Sequence, residues 1–155
     1  MPKSISIKPF TYESANELVK MFTDDEILRK ELGLEAKEFS ADEEYEFITN
    51  WSKKTNSEQY EIRYGEILAG MISLSHIDDE KKSARIGYWV GSEFRNRGIC
   101  KAAFGLLVSD AKERYFKILE SDIDKSNVYS LKIWEKYNPE IIEKNEKQYT
   151  VKIKI

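Results

Sequence analysis

Ala84-Arg85-Ile86-Gly87-Tyr88-Trp89-Val90-Gly91-Ser92-Glu93-Phe94-Arg95-Asn96-Arg97-Gly98-Ile99-Cys100-Lys101-Ala102-Ala103-Phe104 is the stretch on which the fold of this chain turns. It reads as a β-strand, a basic turn carrying a glycine, and the start of a long amphipathic helix. The first N–H groups of a helix lack intrahelical acceptors and carry a partial positive charge. A helix start therefore favours anions, phosphate above all. Arg95 and Arg97 flank that start with guanidinium groups suited to phosphate oxygens. Gly98 leaves room for a diphosphate to approach the backbone. Two common phosphate loops are excluded, because neither the terminal Gly-Lys-Ser/Thr nor the three-glycine dinucleotide fingerprint is present.

Working outward, the 155-residue chain is 41% hydrophobic and 34% charged, and residues 1–155 read as one soluble globular domain. A net charge of −3 argues against a nucleic-acid binder that relies on bulk positive charge. No apolar run approaches the roughly 20 residues that cross a membrane. Residues 1–7 lack the apolar stretch of a secretory leader. One cysteine excludes an internal disulfide and fits a reducing cytoplasm. One histidine and one cysteine give no paired ligand spacing, so a metal site is not expected.

The periodicity alternates between the two regular structures. Residues 4–9 alternate polar residues with isoleucine, a strand pattern. Thr11 can cap a helix with Ala15, Leu18, Val19 and Phe22 on one face. Ser40 to Glu43 is a capping-box pattern followed by Tyr45, Ile48 and Trp51 at helical spacing. Strands are expected over residues 58–64 and 67–75, as a hairpin around Gly65-Glu66, and over residues 83–91, antiparallel to the second. The helix after Gly98 carries an apolar stripe of Ile99, Ala102, Ala103, Leu106 and Leu107. A strand over 117–124 follows, then a short helix capped by Asn127 that buries Val128, Leu131 and Trp134. Residues 140–145 and 148–155 close the chain as a hairpin.

Three segments, in order, carry a family resemblance. Arg95-Asn96-Arg97-Gly98-Ile99-Cys100 follows the pattern Arg/Gln-x-x-Gly-x-Gly/Ala, with Cys100 at the position usually held by glycine or alanine. Ile86-Gly87-Tyr88-Trp89-Val90 looks like an "IGYWL" strand, and Asp124 to Tyr137 follows "D-x-x-N-x-x-S-x-x-x-x-E-K". Together they resemble the GNAT N-acetyltransferase superfamily, in its RimJ/RimL-type ribosomal-protein subgroup. The match is close over the C-terminal half and holds in outline over the rest.

The resemblance implies an α/β (α+β) fold with a mixed, mainly antiparallel seven-stranded sheet flanked by about four helices. It implies acetyl-CoA as cosubstrate and direct transfer of its acetyl group to a primary amine, on a protein N-terminus or a small molecule. The partners are then acetyl-CoA and the amine acceptor, with neither nucleic acid nor membrane, in a monomer or homodimer. The strand at 85–91 is expected to splay from the strand at 117–124, partly through a bulge in the former, with the pantetheine arm in the gap. Tyr88, Trp89 and Val90 would lie beside the arm. Arg95, Arg97, Gly98, Ile99, Cys100 and Lys101 would hold the diphosphate, with Asn127 and Ser130 contributing from the distal segment. Asn127 is a helix N-cap on either reading.

Catalysis is where the chain departs from the family. Many relatives place a tyrosine, as general acid, seven residues after the position of Asn127. Trp134 stands there, and an indole N–H is no substitute for a phenol as an acid. Tyr129, Tyr137 or water would have to take that part. Glu120, which matches a family glutamate, could deprotonate the amine, or could pair with lysines alongside Asp122 and Asp124 on one strand face. The missing tyrosine also leaves open a non-catalytic acyl-CoA-binding or sensor module. The acidic residues Asp24, Asp25, Glu26, Asp42, Glu43 and Glu44 fall where the family builds its acceptor groove, and suit a cationic amine or a solvated face equally.

Overall fold

The computed structural model describes residues 3–35 and 38–155; Met1 and Pro2, at the terminus read above for a leader, lie outside them. The strands are β1 (Ile5–Pro9), β2 (Glu58–Tyr64), β3 (Ile67–Asp78), β4 (Ser83–Val90), β5 (Ile118–Asp124), β6 (Glu140–Glu143) and β7 (Gln148–Lys154). The helices are α1 (Tyr12–Asp24), α2 (Glu26–Leu32), α3 (Ala41–Thr55), α4 (Ile99–Glu113) and α5 (Val128–Glu135). All seven strands form one sheet in the order β1-β2-β3-β4-β5-β7-β6. Every neighbouring pair is antiparallel except β4 and β5, which run parallel.

Local chemistry sets most boundaries. The Thr11 and Ser14 side chains each accept from the other's backbone N–H at the start of α1, and Ser40 accepts from Glu43 N–H at the start of α3. The expected helices number about four; the described residues form five. The additional one, α2, is a two-turn helix whose start is capped by Asp25 and whose end is turned by Gly33 at φ 71°. Its seven residues bury only Leu28, too few apolar positions to leave a helical period in the sequence.

The two sheet faces divide the core. Ala84, Ile86 and Val90 of β4 join Ile72, Leu74, Phe104, Leu107, Leu119 and Trp134 on the α4–α5 side. Trp89 and Met71 face the other way, against Leu18, Phe22 and Leu28 of α1 and α2. Two helix faces differ from the sequence expectation. In α4 the buried positions are Ile99, Cys100, Ala103, Phe104, Leu107, Val108 and Ala111, while Leu106 is 41% exposed. The stripe is thus rotated toward Cys100 and Phe104, because the large Phe104 ring fills the space under the sheet more fully than Ala102 can. In α5, Ser130, Ile133 and Trp134 are buried and Val128 is 55% exposed, since the helix turns its cap outward.

Candidate active site

The parallel pair at the centre of the sheet is short. β4 and β5 are in register only over Ser83↔Ile118, Ala84↔Leu119 and Arg85↔Glu120. Beyond Arg85 the strands part, and β4 from Ile86 to Val90 pairs with β3 alone. A wedge therefore opens in mid-sheet, lined by β4 peptide groups that can bond to a ligand. The expected bulge in β4 is absent. The β3–β4 register is unbroken from Gly70↔Val90 to Ser75↔Arg85, and the irregularity lies on β3, between Ser75 and Asp78. His76 takes up a φ of 51° there, so the extra residue is accommodated on β3, outside the wedge.

The wedge leads into a cavity of about 470 Å³. Tyr88, Trp89 and Val90 line it from β4, and Phe94, Arg95 and Asn96 from the following turn. Cys100 contributes from α4, Glu31 from α2, and Asn127, Tyr129 and Ser130 from the start of α5. Eight of the residues singled out in the sequence therefore meet in one place: Tyr88, Trp89, Val90, Arg95, Cys100, Asn127, Tyr129 and Ser130. Glu31, Phe94 and Asn96 complete it. Glu31 was not legible as a site residue, because it belongs to the helix that the periodicity did not reveal.

The turn into α4 is built to leave its backbone bare. Asn96 and Gly98 both take left-handed conformations, φ 61° and 73°, which swing the chain sharply into the helix. A Cβ on Gly98 would meet no protein atom within 4 Å, so the glycine is required by its φ and faces open space. The first helical bond runs from Ala102 N–H to Gly98 C=O, leaving the N–H groups of Ile99, Cys100 and Lys101 as unpaired helix-start donors. The Ile99 side chain is buried in the core, so only its backbone can serve a ligand. Lys101 lies on the outer wall with Gly98, beside Lys136, whose proximity lowers the Lys136 pKa.

The two arginines have different neighbours. Arg95 grips Glu31 with both terminal nitrogens, at 2.7 and 2.6 Å. Arg97 is exposed and lies over the Tyr64 ring, 6.0 Å from its centroid, outside the cavity. Cys100 is 5% exposed, and burial pushes its thiol up to about 11 despite the nearby Arg95. An activated thiolate, which the basic neighbours alone would favour, is therefore not what this position holds.

The match to known families settles the class. Residues 5–138 match the Acetyltransferase (GNAT) domain. The chain belongs to the GNAT acetyltransferase family. One curated relative, "Putative ribosomal N-acetyltransferase YdaF" of Bacillus subtilis (strain 168), is 36% identical over 69 residues, or 43% of this chain and 38% of that protein. The chain thus matches well under half of that relative's length. Among solved structures, the Microcin C7 self immunity acetyltransferase MccE in complex with acetyl-CoA and AMP is 20% identical. It covers 97% of this chain and 92% of its own, with a TM-score of 0.75. The Salmonella typhimurium acetyl transferase that modifies the N-terminal serine of 50S ribosomal subunit protein L7/L12 is 15% identical. It covers 98% of this chain and 95% of its own, with a TM-score of 0.76. The GNAT fold is shared with both.

Within this GNAT domain neither of the two candidate catalytic residues lines the cavity. Trp134 is fully buried, with its ring centroid 4.9 Å from that of Phe104, and does not line the cavity. Its indole Nε1 has no hydrogen-bond partner. Glu120 is half-buried and ion-paired to Arg85 at 3.3 Å and Lys152 at 3.8 Å. Asp122 takes Arg85, Lys144 and Thr150, and Asp124 takes Gln148. The acidic row on β5 thus knits the sheet to β7. Of the two tyrosines considered as replacements, Tyr129 lines the cavity, and Tyr137 lies in a separate groove beside Gly98 and Lys101.

The acidic residues of α1 to α3 are partly engaged as well. Asp25 accepts from Leu28 N–H, Ser92 N–H and the Ser92 hydroxyl. Burial raises its pKa, but those hydrogen bonds and Arg95 outweigh it and hold the carboxyl below its ordinary value. Glu26 pairs with Lys30, and Asp42 accepts from the Tyr12 hydroxyl.

Proposed function

We propose that residues 1–155 form one acetyl-CoA-dependent N-acetyltransferase domain that passes an acetyl group directly to a primary amine. The observation that carries this reading is the continuity of the mid-sheet wedge with the open start of α4. A long, narrow thioester ligand with a diphosphate at one end fits such a track. The arm would lie along β4 beside Tyr88, Trp89 and Val90. The diphosphate would meet the N–H groups of Ile99, Cys100 and Lys101, with Gly98 leaving its approach clear and Arg95 and Lys101 adding charge. Arg97 would join after swinging from Tyr64. Asn127 and Ser130 would close the α5 side.

Acetyl-CoA supplies an activated acyl carbon when bound. The chain would contribute position, a dry gap and β4 N–H donors for the carbonyl oxygen as it gains charge. Glu120 remains the carboxylate proposed to take the amine proton, relayed by water past Arg85. The names of the YdaF and L7/L12-modifying relatives support a protein α-amine as acceptor, and the single free cysteine supports a reducing, cytoplasmic setting.

Thiol release from acetyl-CoA tests the reading, using short peptides with free N-termini and a panel of small amines. Amine-dependent release, with CoA but not ATP protecting the fold against heat, is the expected result. CoA protection with no release for any amine would leave a binding module; no protection by CoA would remove the reading altogether.

A further inference from the structure

Among the described residues lining the cavity, four carry a hydroxyl or thiol proton: Tyr88, Tyr129, Ser130 and Cys100. Two of these are locked together. The Tyr88 and Ser130 hydroxyls share a hydrogen bond across the wedge, joining β4 to α5. Ser130 is itself fixed, because its backbone N–H donates to the Asn127 side-chain oxygen at 3.1 Å, within the helix cap. The Tyr88 ring stands edge-on to Phe104 at 5.9 Å, and Phe104 in turn abuts Trp134. The phenol is thereby held by Ser130 at its oxygen and by Phe104 at its ring, at the cavity wall. Tyr129 is half exposed, and Cys100 is packed against the core.

Burial pushes the Tyr88 pKa up, while Ser130 and the neighbouring Trp134 indole partly offset it. The titratable groups around it are Cys100 and Tyr129, with Arg95 and Glu31 at the cavity mouth already paired with each other. The phenol therefore keeps its proton through the neutral range. Trp134, at the position where the resemblance implied an acid, lies fully buried as a neighbour of the Tyr88 phenol.

We infer that Tyr88 is the proton donor to the departing thiolate, with Ser130 as the positioning residue that aims its hydroxyl. The inference rests on the N-acetyltransferase reading above. The amine nitrogen bonds to the thioester carbonyl carbon, and the carbon–sulfur bond breaks with its electron pair left on sulfur. Sulfur takes the Tyr88 proton. The nitrogen releases one proton through water to Glu120, which returns it to solvent, and the phenolate recovers one from water, so the net products are the amide and the free thiol. The duty thus falls to the strand instead of the helix.

The test is steady-state turnover and calorimetric CoA affinity for wild type, Tyr88→Phe, Ser130→Ala and Ser130→Thr. Tyr88→Phe keeps the ring against Phe104 and removes only the hydroxyl. It should lower kcat about a hundredfold and leave the CoA Kd within about threefold. Ser130→Ala should cost about tenfold in kcat with the CoA Kd within about threefold, and Ser130→Thr, which restores a hydroxyl, should recover most of that loss. An unchanged kcat in Tyr88→Phe beside an active wild type would overturn this inference alone. A larger loss in Ser130→Ala than in Tyr88→Phe would make the serine the donor and overturn it too. A weakened CoA Kd with kcat intact would assign the hydroxyl to binding, again against the inference. A wild type with no transferase activity would remove both readings.

Discussion

Arg95 and Glu31 face each other as a two-point ion pair across the mouth of the cavity, tying the basic turn before α4 to the short helix α2. The same α2 is tied a second time, because Asp25 at its start holds both the N–H and the hydroxyl of Ser92. The turn proposed to receive the diphosphate is therefore held from the α2 side.

Glu31 places a negative charge beside the site proposed for a dianion. At a separation of about 8 Å in a water-like dielectric, that repulsion is worth about 1 kcal/mol. Glu31→Gln should therefore tighten CoA binding about fivefold at low ionic strength, and the gain should shrink as salt screens it. Titration calorimetry at two salt concentrations reads this. Weaker binding in the variant would show that Arg95 needs Glu31 to hold its pose.

Asp25→Ala removes the α2 cap and the Ser92 acceptor together, and should lower unfolding stability by about 1–2 kcal/mol. The pH dependence follows from the carboxyl being held below its ordinary value of 3.8. A depressed native pKa stabilises the fold above the ordinary value, and that contribution fades as pH falls toward the native one. Urea unfolding of wild type and variant should differ by a constant amount from pH 6 to 8 and converge below about pH 4. A difference that persists at low pH would assign the loss to something other than the carboxylate.

Much of this architecture is legible in the residues. The strand-turn-helix around Gly98 works because the φ of that glycine and the helix-start donors are local properties. The paired hairpins and the caps at Thr11, Ser40 and Asn127 are local too. What periodicity missed depends on tertiary packing. Helix α2 shows only Leu28 to the core, so it leaves no period. The rotation of α4 follows from the bulk of Phe104, and the bulge moved to β3 because the β3–β4 ladder is unbroken along the wedge. At the site, residue types pointed to the cavity, but partners did not follow from types. Arg97 lies on Tyr64, Glu120 on Arg85, and Tyr88 on Ser130.

Cys100 separates the local charge argument from the burial argument. With its thiol raised from 9.0 to about 11, the thiolate fraction at pH 7.5 is about 100-fold below that of an unshifted cysteine. Maleimide labelling should be slow by about that factor, rise roughly tenfold per pH unit between 8 and 10, and slow further when CoA covers the cavity. Rapid labelling at neutral pH would show the thiol to be exposed and activated.

Trp134→Phe removes an indole N–H that has no partner, along with part of a packed ring. The expected cost is about 1–2 kcal/mol of stability from lost packing, with CoA affinity and turnover within tenfold of wild type. Denaturation and steady-state kinetics on one preparation report both. A thousandfold loss of rate with normal CoA binding would make the indole itself part of the chemistry.

The most direct test of the cofactor track is the CoA affinity of wild type, Gly98→Asn and Gly98→Asp by titration calorimetry. Asparagine and aspartate both tolerate the left-handed φ of 73° that this position requires, and both point a side chain into the same open space. They differ by one charge. The account predicts that wild type binds CoA, that Gly98→Asn binds more weakly, and that Gly98→Asp loses at least a further tenfold, about 1.4 kcal/mol. Equal affinities in folded wild type and Gly98→Asp would contradict the placement of the diphosphate at the start of α4.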